Sequence, residues 1–385
     1  MRIAHIITRM IVGGAQENTL FNCEDLVRDY GDEVLLITGP AIGPEGDLLG
    51  QGRGGNVPTR VVPELCRAIS PRHDVASYRA LQQILRDFKP DVVHTHSAKA
   101  GILGRLAAWS LRVPAIVHTV HGAPFGDYDS WPRRKFYQAC ERYAARRCHH
   151  LISVADAMTD LMVKAHIAPR EKFTTIYSGM NVEPLLRANE HRERVRSELG
   201  FQPEHVVIGK IARLFELKGH EDVITAAMYL DRDPNLHYLF VGDGAWRSRL
   251  QKQIDDAGLT DRFHFTGLVP PAKIPELIGA MDILVHASRR EGLARALPQA
   301  LIAGKPIVSY DIDGAREVCI DNETGFLIRS CYFKDLREPL LKLASDPALR
   351  DRLGQEGRRR FADQFRHETM TRQIRALYEQ LLARP

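Results

Sequence analysis

The sequence predicts an α/β protein made of two facing Rossmann-like domains with an interdomain cleft. Three observations carry that prediction. Short apolar runs alternate with helix-patterned segments along the whole chain, the signature of a parallel sheet covered by helices on both faces. The alternation occurs twice, on either side of a polar stretch rich in Arg and Glu from Val182 to Gly200. A chain of 385 residues also exceeds what one hydrophobic core usually organises.

Composition narrows the class. At 44% hydrophobic and 26% charged, this is an ordinary soluble globular chain. Charges interrupt every apolar run before it could cross a bilayer, and residues 1–9 are too short and polar for a signal peptide. Six cysteines (Cys23, Cys66, Cys140, Cys148, Cys319 and Cys331) show no Cys-x-x-Cys pair, so reduced thiols in a cytoplasmic protein are expected. The formal charge of +5 admits an anionic substrate or membrane surface without demanding nucleic acid.

The first half opens with an apolar strand over residues 2–7, then Gly13-Gly14, then a helix over Glu17 to Tyr30 with Leu20, Phe21, Leu26 and Val27 at helical spacing. The glycines do not spell Gly-x-Gly-x-x-Gly, so the dinucleotide fingerprint is absent. A glycine pair here makes a tight turn, the plainer reading, or lets the backbone approach a ligand. Val34–Thr38, Asp91–His96 and Val113–Thr119 read as further strands, Asp74–Phe88 and residues 97–111 as helices, and Gly39–Pro58 as a loop. Ligands of doubly wound sheets gather at the carboxyl ends of the strands. His94/His96 and His118/His121 fall at such ends, and His121, followed by Gly122, is expected to be exposed there. Residues 131–147 carry six basic side chains among Trp131, Phe136, Tyr137 and Tyr143, with Glu141 the one acid. A solvated helix face is the plainer reading, and an anionic membrane surface is the alternative partner.

In the second half, Val206–Ala212, His237–Val241, Phe263–Thr266, Ile283–Ala287 and Ile307–Tyr310 read as strands. Arg213 at a strand end and Lys218 at a helix start suit a diphosphate, one by bidentate bonding and the other as a point charge. The stretch Arg289 to Pro306 reads as strand exit, loop and helix. Pro298 fits a first helical turn, Gly304 supplies a stop and Pro306 prevents continuation. The loop Glu291 to Ala294 would then point free amides outward from the positive helix end, an anion site with a carboxylate beside it. Helix capping alone is the bland alternative for Glu291.

Gly13-Gly14-Ala15, His121-Gly122, Arg213-Leu214-x-x-x-Lys218-Gly219, Val241-Gly242-Asp243-Gly244, Glu291-Gly292-Leu293, Ala303-Gly304-Lys305-Pro306 and Gly314-Ala315-Arg316-Glu317-Val318 together resemble glycosyltransferase family 4. The likeness runs over essentially the whole chain. It implies the GT-B fold and retaining transfer of a sugar from a nucleotide diphosphate donor, without a required metal and with no cofactor beyond that substrate. By position, Arg213 and Lys218 would hold the diphosphate, helped by the amides of Gly292, Leu293 and Ala294 and by Gly13 and Gly14. Glu291 would meet the donor sugar, His121 would face it, and Val269 counts among the donor-binding positions. The resemblance also implies an acceptor-side domain over 1–182, a donor domain over 183–365, and a closing helix, 366–385, packed back on the first. One position departs from the Glu-x7-Glu pattern. Gln299 stands where the second Glu, which accepts hydrogen bonds from the nucleotide ribose, is usual.

Asp311-Ile312-Asp313 mimics a metal-binding Asp-x-Asp, but its Gly-rich surroundings read as turn chemistry, and no spacing suggests a metal site. UDP is the family's common nucleotide, and a glycan or lipid-linked acceptor fits the basic helix, with peripheral contact at the inner membrane face. The competing functions are a non-catalytic nucleotide-sugar-binding relative, suggested by Gln299, and a nucleotide-sugar epimerase.

Overall fold

The computed structural model describes residues 1–43, 46–50, 54–126, 129–230, 235–329 and 332–383, so Cys331 and the last two residues of the expected tail lie outside the described residues. The chain divides into two compact units, one of Met1–Met180 with Phe365–Pro385 and one of Asn181–Gln364.

The first unit runs β1 (Arg2–Arg9), α1 (Gly14–Tyr30), β2 (Glu33–Gly39), β3 (Thr59–Val61), α2 (Pro71–Phe88), β4 (Val92–His96), α3 (Ala98–Ser110) and β5 (Ala115–Val120). It continues with α4 (Trp131–Ala145), β6 (His150–Ser153), α5 (Asp156–Lys164) and β7 (Phe173–Thr175). The seven strands form a parallel sheet in the order β3-β2-β1-β4-β5-β6-β7. β1, β4 and β5 lie inside it, and β4 and β5 are buried along their whole length, as strands covered on both faces must be. β3, β6 and β7 are three or four residues long, too short to announce themselves as apolar runs.

The second unit runs α6 (Glu183–Leu186), α7 (Arg192–Glu198), β8 (Val206–Ile211), α8 (His220–Met228), β9 (Leu236–Val241), α9 (Arg247–Asp256), β10 (Phe263–Phe265) and α10 (Ile274–Ala280). β11 (Ile283–His286), α11 (Ala296–Ile302), β12 (Ile307–Tyr310), β13 (Gly325–Ile328), α12 (Arg337–Ser345) and α13 (Pro347–Phe361) follow. Its six parallel strands are ordered β10-β9-β8-β11-β12-β13. The polar stretch 182–200 is no bare connector. Arg192 and Arg196 both pair with Asp282 and donate to the carbonyls of Gly279 and Ala280 respectively, which fixes α7 against the end of α10.

The last helix, α14 (His367–Leu382), belongs to the first unit. Met370, Ile374, Leu377, Tyr378 and Leu381 enter the core built on β1, β4 and α1. Fully buried Asp25 accepts hydrogen bonds from the Thr371 hydroxyl and the His367 ring, both at 2.8 Å. Asp32 accepts from both Arg375 and the chain's terminal amine.

Candidate functional site

In the second unit, two strand-to-helix loops bring Lys218 and Glu291 together. The Arg289 amide donates to the Leu217 carbonyl at 2.8 Å, which ties the loop after β11 to the loop after β8. Leu217 and Gly219 both adopt left-handed backbone, with φ near 65°. A side chain at Gly219 would also put its Cβ 1.9 Å from the Ala287 carbonyl oxygen, so the close approach needs glycine. Arg289 further holds the Asp222 carboxylate, which accepts the Tyr310 hydroxyl as well. On this frame the Lys218 ammonium lies 2.5 Å from Glu291 Oε1, each side chain about a fifth exposed. Arg213 stands on the same β8–α8 loop with its side chain exposed to solvent.

The amides of Gly292, Leu293 and Ala294 meet no acceptor among the described residues, whereas the Glu291 amide donates to Asp313 at 2.6 Å. Asp311 pairs with Arg316 within its own turn, whereas Asp313, with φ of 44°, spends its carboxylate on the Glu291 amide of the neighbouring loop. The expected contribution of a helix dipole is small, because α11 spans only seven residues. Gln299 lies half-buried in α11, and Val269 lies half-buried on the loop after β10.

Beneath the pair lies a polar layer that no motif announced. Lys210 on β8 is fully buried and its ammonium has no hydrogen-bond partner among the described residues. Neither ring nitrogen of His220 has one, nor does His286 Nε2 or Ser288 Oγ. Burial, reinforced by the Lys218 charge, pushes Lys210 down to about 7, while Glu291 opposes the shift. Burial also holds His220 and His286 far below the usual histidine range. Lys210 and His286 are single polar residues inside apolar strands and carry no periodic signal, while His220 opens α8 and Ser288 follows β11, so only the fold reveals that they share a neighbourhood.

In the first unit, Gly13 precedes α1 with φ of 175°, extended backbone open to any residue. The expected tight turn therefore does not require glycine here, since neither Gly13 nor Gly14 lies in the left-handed region. The expected strand-end histidines divide. His94, His96 and His118 are buried, because β4 and β5 are central strands packed on both sides, and His121 alone of the four is partly exposed, one residue past β5. The register β1–β4 sets His5 opposite His94. His5 Nδ1 lies 3.1 Å from His96 Nε2, and His96 Nδ1 lies 3.0 Å from His121 Nε2. Nitrogens of His5, His94 and His96 fall within 4.8 Å of one another, a grouping able to hold a metal ion. His94, however, spends both nitrogens on the Tyr378 and Thr119 hydroxyls, at 2.5 and 2.7 Å.

On α4, Trp131, Phe136 and Tyr143 are half or more exposed. Two charged side chains of this helix, one acidic and one basic, are structural. Glu141 pairs with buried Arg105 at 2.8 Å, and Arg142 donates to the carbonyls of His166 and Ala165 at the end of α5. No helix among the described residues is long and apolar enough to cross a membrane.

Comparison with known proteins agrees with this architecture. "Glycosyl transferases group 1" matches residues 191–360 and "Glycosyl transferase 4-like domain" matches residues 13–179. The chain is 29% identical over 356 residues to an Escherichia coli UDP-Gal:alpha-D-GlcNAc-diphosphoundecaprenol alpha-1,3-galactosyltransferase, covering 91% of this chain and 89% of that protein. It is 22% identical to the Staphylococcus aureus capsular polysaccharide biosynthesis glycosyltransferase CapM, over 83% of this chain and 86% of that one. The crystal structure of Anabaena HepE in complex with UDP superposes with a TM-score of 0.83 at 23% identity, covering 99% of this chain and all of that one. With one matched domain in each unit and two parallel Rossmann-like sheets, the chain belongs to the group 1, family 4-like glycosyltransferases of GT-B fold.

Proposed function

We propose that this glycosyltransferase moves a hexosyl or N-acetylhexosaminyl group from a UDP-sugar to a glycan or lipid-linked acceptor, with retention of anomeric configuration and no required metal ion. The observation that carries the reading is the Lys218–Glu291 pair, with three successive amides beside it that meet no acceptor among the described residues, and Arg213 on the same loop as Lys218. Cleaving the bond between a sugar and a diphosphate leaves positive charge on the anomeric carbon and added negative charge on the departing oxygen. Cations and amides already in place stabilise that departing charge more than the ground state. Glu291 supports the sugar side. No side chain stands out as a nucleophile, so retention is assigned to attack from the same face, the leaving oxygen accepting the acceptor's proton. Gly13, Gly14 and His121 in the first unit, and Gln299 and Val269 in the second, are assigned to the same donor by the family likeness.

The names of the relatives support UDP as the nucleotide and a lipid-linked or capsular glycan as the acceptor class. Trp131, Phe136 and Tyr143 with Lys135 on α4 suit peripheral contact with an anionic membrane from the cytoplasmic side. The test is a screen of UDP-, GDP- and ADP-sugars by thermal stabilisation, followed by anomeric analysis of the product. UDP-selective stabilisation and a retained anomer are expected. Binding without sugar release or transfer, or an epimerised free nucleotide sugar, overturns the reading.

A further inference from the structure

We propose that His5 and His96 are positioning residues that hold His121 in its Nδ1–H tautomer through a chain of imidazole-to-imidazole hydrogen bonds. The importance of that tautomer for transfer rests on the assignment of His121 to the donor made above; the chain itself does not.

The geometry comes from parallel strand register. β1 and β4 are neighbours, with His5 level with His94 and Ile6 level with Thr95. His96, one residue further, reaches back to His5 on one side. On β5, Thr119 is level with His96, and His121 lies two residues beyond it. The His96 ring thus bridges two strands, at 3.1 Å from His5 and 3.0 Å from His121. The ring centres of His5 and His96 lie 5.3 Å apart with 15° between their planes, and those of His96 and His121 lie 5.3 Å apart with 30°, so the rings meet edge to edge as in-plane hydrogen bonds require.

Each hydrogen bond between two imidazoles needs one proton, and a neutral imidazole has only one to give. Burial keeps both inner rings neutral, with His5 down at about 3 and His96 well below the ordinary range. Two arrangements satisfy both bonds. In the first, His5 Nδ1–H donates to His96 Nε2 and His96 Nδ1–H donates to His121 Nε2. In the second, every proton runs the other way.

His5 Nε2 decides between them. It is buried and has no hydrogen-bond partner among the described residues. The first arrangement leaves that atom a bare lone pair, and the second makes it a buried N–H donor with nothing to receive it. Orphaned buried N–H donors are the rarer of the two in folded proteins. The first arrangement therefore holds, and it requires His121 to accept at Nε2 and carry its proton on Nδ1. His94 does not compete, because Tyr378 and Thr119 occupy both its nitrogens, and His118 bonds to Thr95.

The experiment is nitrogen NMR of histidine-labelled full-length protein without ligand, reading the tautomer of His121 in the wild type, His5→Phe and His96→Phe. The wild type is expected to hold His121 mainly in the Nδ1–H form. Both variants are expected to move His121 toward the Nε2–H form. A wild-type His121 that is mainly Nε2–H, or one unmoved in a folded His96→Phe or His5→Phe protein, overturns the proposal. Should both variants fail to fold, the wild-type spectrum alone decides. One equivalent of tightly held zinc in the purified protein, lost on His5→Phe substitution, also overturns it by making these nitrogens metal ligands. His121→Phe transfer activity is measured separately. If that variant transfers sugar at the wild-type rate, the role of His121 in transfer falls, while the tautomer result stands.

Discussion

Replacing Glu291 with Gln separates two effects that the ligand-free geometry couples. Lys218 and Glu291 neutralise each other across 2.5 Å, with side chains 20% and 23% exposed. A diphosphate that recruits Lys218 must compete with that carboxylate. Two unit charges at about 4 Å interact by roughly 1 kcal/mol in water and about 4 kcal/mol at the effective dielectric of a protein surface. After desolvation and side-chain ordering, about 1–2 kcal/mol is a reasonable net worth for a pair this sheltered. Glu291→Gln keeps the shape and releases Lys218, so UDP is expected to bind about tenfold tighter, the equivalent of about 1.4 kcal/mol. Transfer is expected to fall about a hundredfold, because the carboxylate proposed to support charge at the anomeric carbon is gone. Titration calorimetry with UDP gives the first number, and sugar release from UDP-sugar under saturating donor gives the second. The reasoning is refuted if UDP binds no tighter, or if turnover stays within about threefold of wild type.

Arg213→Ala is expected to raise the barrier by at least about 2 kcal/mol, seen as a fall in kcat of about thirtyfold; near-normal donor turnover counts against its place at the diphosphate. Gln299→Glu restores a charged acceptor and is expected to tighten UDP by about fivefold in calorimetry, the difference between a charged and a neutral hydrogen bond; unchanged affinity removes Gln299 from the nucleotide site. Lys210→Met is expected to stabilise the protein near pH 7. The folded chain releases the Lys210 proton near pH 7 and the unfolded chain near 10.5, so the unfolded state binds more protons between those values and stability rises with pH across them. The cost of the buried ammonium, up to roughly 5 kcal/mol, is fully present below pH 7 and gone above about 10.5. Denaturant unfolding of both proteins at pH 7 and pH 10 checks it: a gain that does not shrink with pH refutes the assignment.

The fold was legible where β and α signals were long and alternating. β1, α1, β4, β5, β8 and the α11 region all lie within a few residues of their expected places. Short strands such as β7, three residues with one of them buried, leave no such trace. The candidate site divides the same way. Lys218 and Glu291 could be paired from motif order, because each follows a strand of one parallel sheet and such loops share an edge. The layer of Lys210, His220 and His286 could not, since Lys210 and His286 are isolated polar residues in apolar strands and His220 opens a helix from a different loop. The His5–His96–His121 contacts depend on which strands are neighbours, and chain order places β2 and β3 between β1 and β4. The exposed basic face of α4 was overcounted for a similar reason: Arg142 is consumed by carbonyl groups at the end of α5, more than twenty residues away in sequence.

The binding of α14 into the first unit has a consequence for biosynthesis. Asp25, Asp32 and His94 precede the second unit in the chain, yet their partners His367, Thr371, Arg375 and Tyr378 emerge from the ribosome only after it. The second unit has all its strands synthesised before those partners appear, so it can mature while the earlier one still exposes an unfilled apolar groove. A stop codon near residue 365 would therefore injure the part of the protein made first.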